Sequence, residues 1–577
     1  MRHRRYYIIL IILVMVMAGI CGFHVMEIKS VKVNANPEHI SADWNPASAQ
    51  SSETAGDIRA DLPVLEVDGV IAEESTHPLW LDENGQVMLS EDTIRDMFRC
   101  AVGIYDGNRV LVEWGDRSLE AYMDSDLIRV GEEETVRAGT VQENQGTYYV
   151  SAEAFSQAFP FTFSWDTQTN KVSMTTQSAD ENPLPESYDY REKGRSPKVL
   201  DQGNLGTCWA FASLTALESA LTPEEDWTFS RDHMSLNNAF GRDQMDGGDY
   251  TMAMSYLLAW QGPVREEDDP YGDGETNADL APVKHVQEIQ MLPKKDLQKI
   301  KEAVFLYGGV HTPLYFVLAD ETTTDEEAGK YYRRDTASYC YIGTNKINHD
   351  VVIVGWDDHY PKSNFPMELE GDGAFLCMNS WGEGFGDDGY FWISYYDTNI
   401  GIYNVCYTGV EDTDHYDSIY QSDLGGYVGQ VGYKDETAYF ANVYTANGEE
   451  TLEAAGFYAV GPGTSYEVYA VPDFQGTQSL DFSNQVAAGT LKNAGYYTIP
   501  FDQEITLTAG QQFAIIVYIR TPGEERPIAI EYAQQGSSLE NLDISDGQGY
   551  ISFKGVDWQS AEEEQGCNVC LKAYTRK

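Results

Sequence analysis

Positive charge is what this sequence has least of. Of its 577 residues only 38 are Lys or Arg, against 92 Asp or Glu, for a formal net charge of −54. A chain of that sign repels polyanions and has no basic footprint for phosphate, so nucleic-acid recognition through a basic surface is excluded. Adhesion to an anionic bilayer is disfavoured for the same reason. Cysteine is scarce too: eight residues, at 21, 100, 208, 340, 377, 406, 567 and 570, follow no regular framework. Folding therefore depends on apolar cores and not on a disulfide scaffold. Core material is ample, with 42% hydrophobic and 12% aromatic residues. At roughly 100–200 residues per domain the length implies three or four domains.

The one basic cluster that stands out is terminal. Arg2, Arg4 and Arg5 precede an uncharged apolar run of 18 residues, Tyr6 to Phe23, which is the pattern of a signal peptide. Val33-Asn34-Ala35 supplies small residues in an A-x-A-like arrangement, so residues 1–35 are expected to be removed. An uncleaved anchor is the competing reading, because the run meets the lower length limit of a membrane-spanning helix. Bulky Ile20 before Cys21 argues against a lipid anchor there. Either way the rest of the chain is expected outside the cell, secreted or tethered to the surface. Membrane contact would come only through the N-terminal segment. Residues 36–60 are small and polar, with Trp44 their only aromatic, and read as a flexible linker.

Residues 61–177 contain a duplication. Gly85, Met88, Leu89, Ser90, Ile94 and Phe98 recur 61 positions later as Gly146, Tyr149, Val150, Ser151, Phe155 and Phe159; Asn108 and Val110 recur 62 later as Asn170 and Val172. Each copy reads as strand, turn, short helix, strand, and the pair as one small α+β module. With Thr147-Tyr148-Tyr149-Val150, Trp165-Asp166 and Asn170-Lys171-Val172, it resembles the N-terminal stalk module of copper amine oxidases. No metal is implied, since His77 is its only histidine. A linker at 178–186 follows. From 412 to 577, alternating runs such as Tyr466 to Val471 and the apolar run Phe513 to Ile519 are separated by Gly- and Pro-bearing turns, which reads as an all-β sandwich. That region resembles the lectin-like domain behind bacterial cysteine peptidases, and glycan or cell-wall contact is what the resemblance implies. Trp558 and the tyrosines suit sugar stacking, although a tyrosine-rich core accounts for the same residues. Cys567 and Cys570 read as structural thiols, and Asp543 to Gly547 as a weak hint of calcium.

The chemistry is concentrated between 187 and 411. The loop Gln202-Gly203-Asn204-Leu205-Gly206-Thr207 leads into a helix in which Phe211, Leu214, Leu217 and Leu221 recur at helical spacing before Thr222-Pro223 ends it. Cys208 falls on its first turn, where the helix dipole favours a thiolate and lowers the thiol pKa. A thiolate needs a cationic partner that can protonate a leaving group. His349, 141 residues downstream, heads the apolar strand Val351 to Trp356, inside the roughly 130–150-residue interval expected for such a pair. Asn379 in Asn379-Ser380-Trp381-Gly382 offers an amide to orient the imidazole, with a tryptophan to shield that bond.

Taken together these residues resemble the papain family of cysteine peptidases, over about 184–408. The resemblance implies an α+β fold of a helical and a β lobe, no cofactor and no metal, and protein or peptide substrates. Carried over, Cys208 is the nucleophile, His349 the general acid/base and Asn379 its orienter, while Gln202 donates to the oxyanion together with the Cys208 N–H. Gly247 and Gly248 correspond to the strip that pairs with the substrate backbone. Asp249, Tyr250 and Ile347 are expected to line the pocket for the second residue on the acyl side of the cleaved bond, and Trp381 to border the substrate site. Two cysteines that pair in the family are Leu205 and Met245 here, and the exchange reads as a bridge replaced by apolar packing. Residues 361–373 read as a surface insertion. Cys340, Cys377 and Cys406 are expected in the core, and His233, His285, His311 and His359 as ordinary core or polar residues. The resemblance implies a multidomain secreted or cell-surface cysteine endopeptidase. The alternatives are a surface binding protein with a silent peptidase-like domain, or a thiol acyl transferase.

Overall fold

The structure, a computed structural model, describes residues 24–25, 62–72, 77, 79–137, 139–144, 146–178, 183–317, 324–545 and 548–577. The signal sequence and the 36–60 linker fall outside the described residues, apart from His24 and Val25. Contacts divide the chain into two units. One holds Ser187–Thr222 and Asp226–Lys577, the other Ser30–Glu186 with Pro223–Glu225.

In the second unit the sequence repeat is a structural repeat. Strand β1 (Val87–Ser90) runs into helix α1 (Glu91–Asp96), and strand β2 (Thr147–Ser151) into helix α2 (Ala152–Ala158). In each copy the serine ending the strand caps the helix: Ser90 Oγ accepts from Thr93 N at 3.2 Å and Ser151 Oγ from Ala154 N at 3.4 Å. β1 and β2 pair antiparallel, with Leu89 opposite Val150. Equivalent residues of the two copies, Ile94 with Phe155 and Phe98 with Phe159, fill one core. Between the copies a five-stranded meander runs from Ala101 to Val136.

The first unit is built on helix α3 (Cys208–Leu221), which packs against helix α4 (Tyr250–Leu258) and three strands. Nearly every residue of α3 is buried, polar Ser213, Thr215, Glu218 and Ser219 included. A helix enclosed on all sides must satisfy its polar groups internally. Glu218 does so through Arg231, at 2.5 and 2.8 Å, and by accepting from Phe229 N at 2.8 Å.

One long sheet carries the rest of the site. Its strands are β3 (His285–Met291), β4 (Val310–Leu314), β5 (His349–Asp357), β6 (Ala374–Met378), β7 (Tyr390–Ser394), β8 (Val405–Glu411) and β9 (Ala494–Leu507). They run in the order β7-β6-β5-β4-β8-β3-β9, and beyond β9 come Glu450–Ala459, Leu571–Arg576 and Ser418–Tyr420. The expected C-terminal β domain is present, but one of its sheets is continuous with the sheet of residues 187–411. β3 pairs with β8 on one edge and β9 on the other, with Glu288 opposite Tyr497 and Met291 opposite Ala494. A second, six-stranded sheet closes the β domain over a core that includes Phe440, Phe457, Val468, Phe513 and Ile515. Each such side chain contributes roughly 1.5–3 kcal/mol by leaving water.

The 361–373 insertion anchors itself. Phe365 and Leu369 bury beside Cys340, Tyr360 and Ala374, so β5 and β6 stay in register on either side of it, with Val352 opposite Met378.

Candidate active site

Cys208 is the first residue of α3 and is partly exposed. The loop before it is pinned from two directions. Gln202 N donates to Ser380 O at 2.8 Å and Gly382 N to Leu200 O at 3.1 Å, tying it to the segment after Asn379. Tyr271 braces the other side, its hydroxyl donating to Gln202 O at 2.9 Å and lying 2.6 Å from Thr207 Oγ1. The Gln202 side chain is buried. Its Oε1 accepts from Ser380 Oγ at 2.6 Å, and Nε2 donates to Leu205 O at 2.8 Å. The second N–H of the same amide is left for another acceptor.

His349 begins β5 and Asn379 directly follows β6, so the antiparallel pairing of those strands brings two residues 30 apart in sequence together. His349 Nε2 lies 2.7 Å from Asn379 Oδ1, which also accepts from Ser380 N at 2.9 Å. Nδ1 is then the ring nitrogen available to a thiol. The Trp381 ring stacks on the imidazole at 4.4 Å between centroids and 21° between planes. Phe316 and Phe385 meet Trp381 edge-on at 5.1 and 4.9 Å. This aromatic wall keeps water from the His349–Asn379 bond, which strengthens it. Burial lowers the His349 pKa, with the Asn379 bond opposing.

Gly247 has φ of +73°, a left-handed conformation that favours glycine. At Gly248 a Cβ would come within 2.5 Å of Trp209 Nε1. These two glycines let bare backbone run against the residue next to Cys208. Asp249 ends the segment as the N-cap of α4, accepting from Thr251 N at 2.9 Å. Ile347 is half-buried in the loop before β5. Trp381, expected at the substrate border, is engaged with His349.

Two expectations need correction. Met245 does not exchange a bridge for packing: it is 65% exposed, on the turn Gln244–Asp246. The two loops are joined by backbone instead, through Gly206 N to Gln244 O at 2.9 Å. The Cys208 thiol pKa is raised, not lowered, first by burial and then by the negative charge of Asp350, with backbone hydrogen bonds opposing. His311 is buried in the core, as expected, but it also reaches the site. Its Nε2 lies 2.9 Å from Asp350 Oδ1 and its Nδ1 3.1 Å from Ser213 Oγ. Asp350 Oδ2 is 3.6 Å from Cys208 Sγ, accepting from the thiol. Asp350, His311 and Ser213 were not among the expected site residues. The signal available was an acid immediately after His349 and a histidine on the strand following Gly308-Gly309.

The papain family of cysteine proteases matches residues 184–410, the lectin-like domain 419–575 and the copper amine oxidase N-terminal domain 66–174. Residues 184–410 are a papain-family cysteine peptidase domain. The peptidase domain is similar to pro-cathepsin H of Mus musculus, 31% identical over 222 residues, covering 37% of this chain and 60% of that protein. It is also similar to cathepsin S of Bos taurus, 29% identical over 226 residues, covering 38% and 62%. The chain thus spans about 60% of the length of these curated relatives. Peptidase and lectin-like domains together resemble two solved structures of the clostridial cysteine protease Cwp84. One, after propeptide cleavage, has a TM-score of 0.60 at 27% identity, covering 68% of this chain and 99% of that one. The other, described as a surface layer associated protein of Clostridium difficile, has a TM-score of 0.58 at 26% identity, covering 68% and 89%.

Proposed function

We propose that this chain is a cysteine endopeptidase of the cell exterior. The observation that carries the reading is the His349–Asn379 bond of 2.7 Å beneath Trp381, with Cys208 at a helix start in contact with the next residue, Asp350. Cys208 passes its proton to His349 Nδ1 and attacks a peptide carbonyl as the thiolate. Asn379 holds the imidazole so that Nδ1 faces the thiol, and favours the imidazolium by accepting from Nε2–H. The oxyanion takes the Cys208 backbone N–H and the second amide N–H of Gln202. His349 protonates the leaving amine, and water, deprotonated by His349, hydrolyses the thioester. Gly247 and Gly248 pair with the substrate main chain on the acyl side, and Asp249, Ile347 and Trp381 border it.

The test is product analysis: the full chain with an unlabelled peptide in ¹⁸O-water, with and without an excess of glycine amide. One ¹⁸O in the new carboxylate and no amide product is the outcome expected of a peptidase. Predominant amide product would favour the acyl transferase reading.

The exterior location is supported by the N-terminal pattern and by the surface-layer protein that two of its domains resemble. For the lectin-like domain we propose contact with a glycan through the outer face of its six-stranded sheet. There Tyr439 lies 4.9 Å from Tyr518 and 5.1 Å from Phe482, itself 37% exposed. Rings so placed suit the apolar face of a sugar. Trp558 and Tyr439 both pack against the same buried cluster. Loss of binding to purified cell-wall polysaccharide in Phe482→Ala is the expected result.

A further inference from the structure

The mechanism above leaves one buried charge beside the reacting sulfur without a task. Asp350 is 8% exposed, and its carboxylate bridges Cys208 Sγ at 3.6 Å and His311 Nε2 at 2.9 Å. His311 is 1% exposed and is fixed in turn by Ser213. A carboxylate held this rigidly is not a mobile surface acid. Nor does it help the nucleophile, because a negative charge next to sulfur opposes a second one.

Its position relative to the substrate follows from the neighbouring backbone. The glycine strip leads into Asp249 and then Tyr250, whose ring meets His311 edge-on at 6.4 Å and lies 5.9 Å from Tyr403. The wall that begins at Gly247–Gly248 therefore reaches the Asp350–His311 pair. A substrate paired with that strip as an extended strand turns alternate side chains inward. An inward side chain on the acyl side meets Tyr250 and the Asp350 carboxylate next to the attacking sulfur. The charged and titratable groups around it are Asp249 on the α4 cap, raised by burial and by Asp350 itself, Arg242, which donates to Gly247 O at 3.3 Å, and His311, His349 and Cys208. The Arg242 charge acts on Asp249, and the acid that touches the sulfur is Asp350.

We propose that Asp350 is the specificity-determining residue of the cleft: it takes a lysine or arginine side chain of the substrate on the acyl side of the cleaved bond, and until that cation is seated it keeps the proton on Cys208. The inference rests on the reading of Cys208 as nucleophile. A bound cation does two things at once. It satisfies a carboxylate that otherwise opposes the thiolate, and it places positive charge beside sulfur, so selectivity appears in kcat as well as in KM.

The test uses the full chain, with active sites first counted by an epoxide label so that failure of the nucleophile reading is seen separately. A fluorogenic tetrapeptide library, varied at the second acyl-side position, should show lysine or arginine preferred over norleucine by about tenfold or more in kcat/KM, the scale of one partly buried charge pair. In Asp350→Asn, whose amide oxygen still accepts from His311, the preference should fall to within about threefold. Alkylation of Cys208 by iodoacetamide, a small neutral reagent, should be about threefold or more faster at neutral pH in that variant, as expected when a like charge is removed. A merely structural role for Asp350 would leave both ratios unchanged. A labelled wild-type enzyme that prefers an aliphatic residue overturns the proposal without recourse to any variant. So does an Asp350→Asn protein that keeps its basic preference.

Discussion

His349 Nε2 and Asn379 Oδ1 stand 2.7 Å apart although the residues are 30 positions apart and separated by an inserted loop. The bond exists because β5 and β6 pair in register across that loop, and because Phe365 and Leu369 bury the loop in a cluster of its own. Removing the acceptor leaves the imidazolium unsupported. Asn379→Ala is expected to lower kcat/KM by about ten- to a hundredfold, the range for losing one hydrogen bond to a charged group. KM should change less than kcat, and steady-state kinetics at neutral pH checks both. Trp381→Ala, which admits water to the bond but leaves its acceptor in place, should cost less in kcat.

Gly248 offers a different kind of test. A methyl group there would sit 2.5 Å from Trp209 Nε1 and 2.8 Å from Met252 Sδ, on a ring that is itself buried. Gly248→Ala should destabilise the fold by about 1–3 kcal/mol, as overpacking does, and raise KM by pushing the strip out of line. Chemical denaturation and peptide kinetics on the same preparation separate the two effects.

Glu218 and Arg231 form a buried pair at 0–1% side-chain exposure, joining α3 to the segment after Phe229. Truncating either partner strands the other. Glu218→Ala or Arg231→Ala should each cost about 3–5 kcal/mol in urea unfolding, and the double variant less than the sum of the two.

His285 makes stability depend on pH. It is 5% exposed, stacked on Trp260 at 3.6 Å and 8°, and burial lowers its pKa to about 4. The folded pKa lies below the unfolded one, so the neutral ring stabilises the fold fully above the ordinary histidine pKa of about 6.5. That contribution is lost as pH falls from about 6.5 towards 4, because only the unfolded chain takes up the proton. The loss should reach about 2 kcal/mol once partial solvent screening is allowed for. His285→Phe should abolish that part of the slope, measured by thermal unfolding across the range.

Much of this site was legible in the sequence because its signals are local. Gln202, Cys208, His349 and Asn379 each sit in a short motif whose neighbours state the backbone around them, and the recurrence of Ser90 as Ser151 marks the duplicated unit. What escaped is what depends on pairing between distant strands. Asp350 reaches Cys208, and His311 reaches Asp350, only because β4 and β5 lie side by side with Val352 opposite His311. The continuity of the sheet through β3 and β9 is equally silent, since neither strand alone reveals which edge it will meet. Met245 misled because an apolar side chain suggests packing, whereas the turn it occupies holds it in solvent.

The most direct measurement is intact mass of the full chain after exposure, under mild reduction, to an epoxide affinity label for papain-like thiolates, beside Cys208→Ala. The other described cysteines are buried. One adduct on the native protein and none on the variant is the expected result. No adduct on the native protein, or equal labelling of both, would contradict the assignment of Cys208 as the nucleophile.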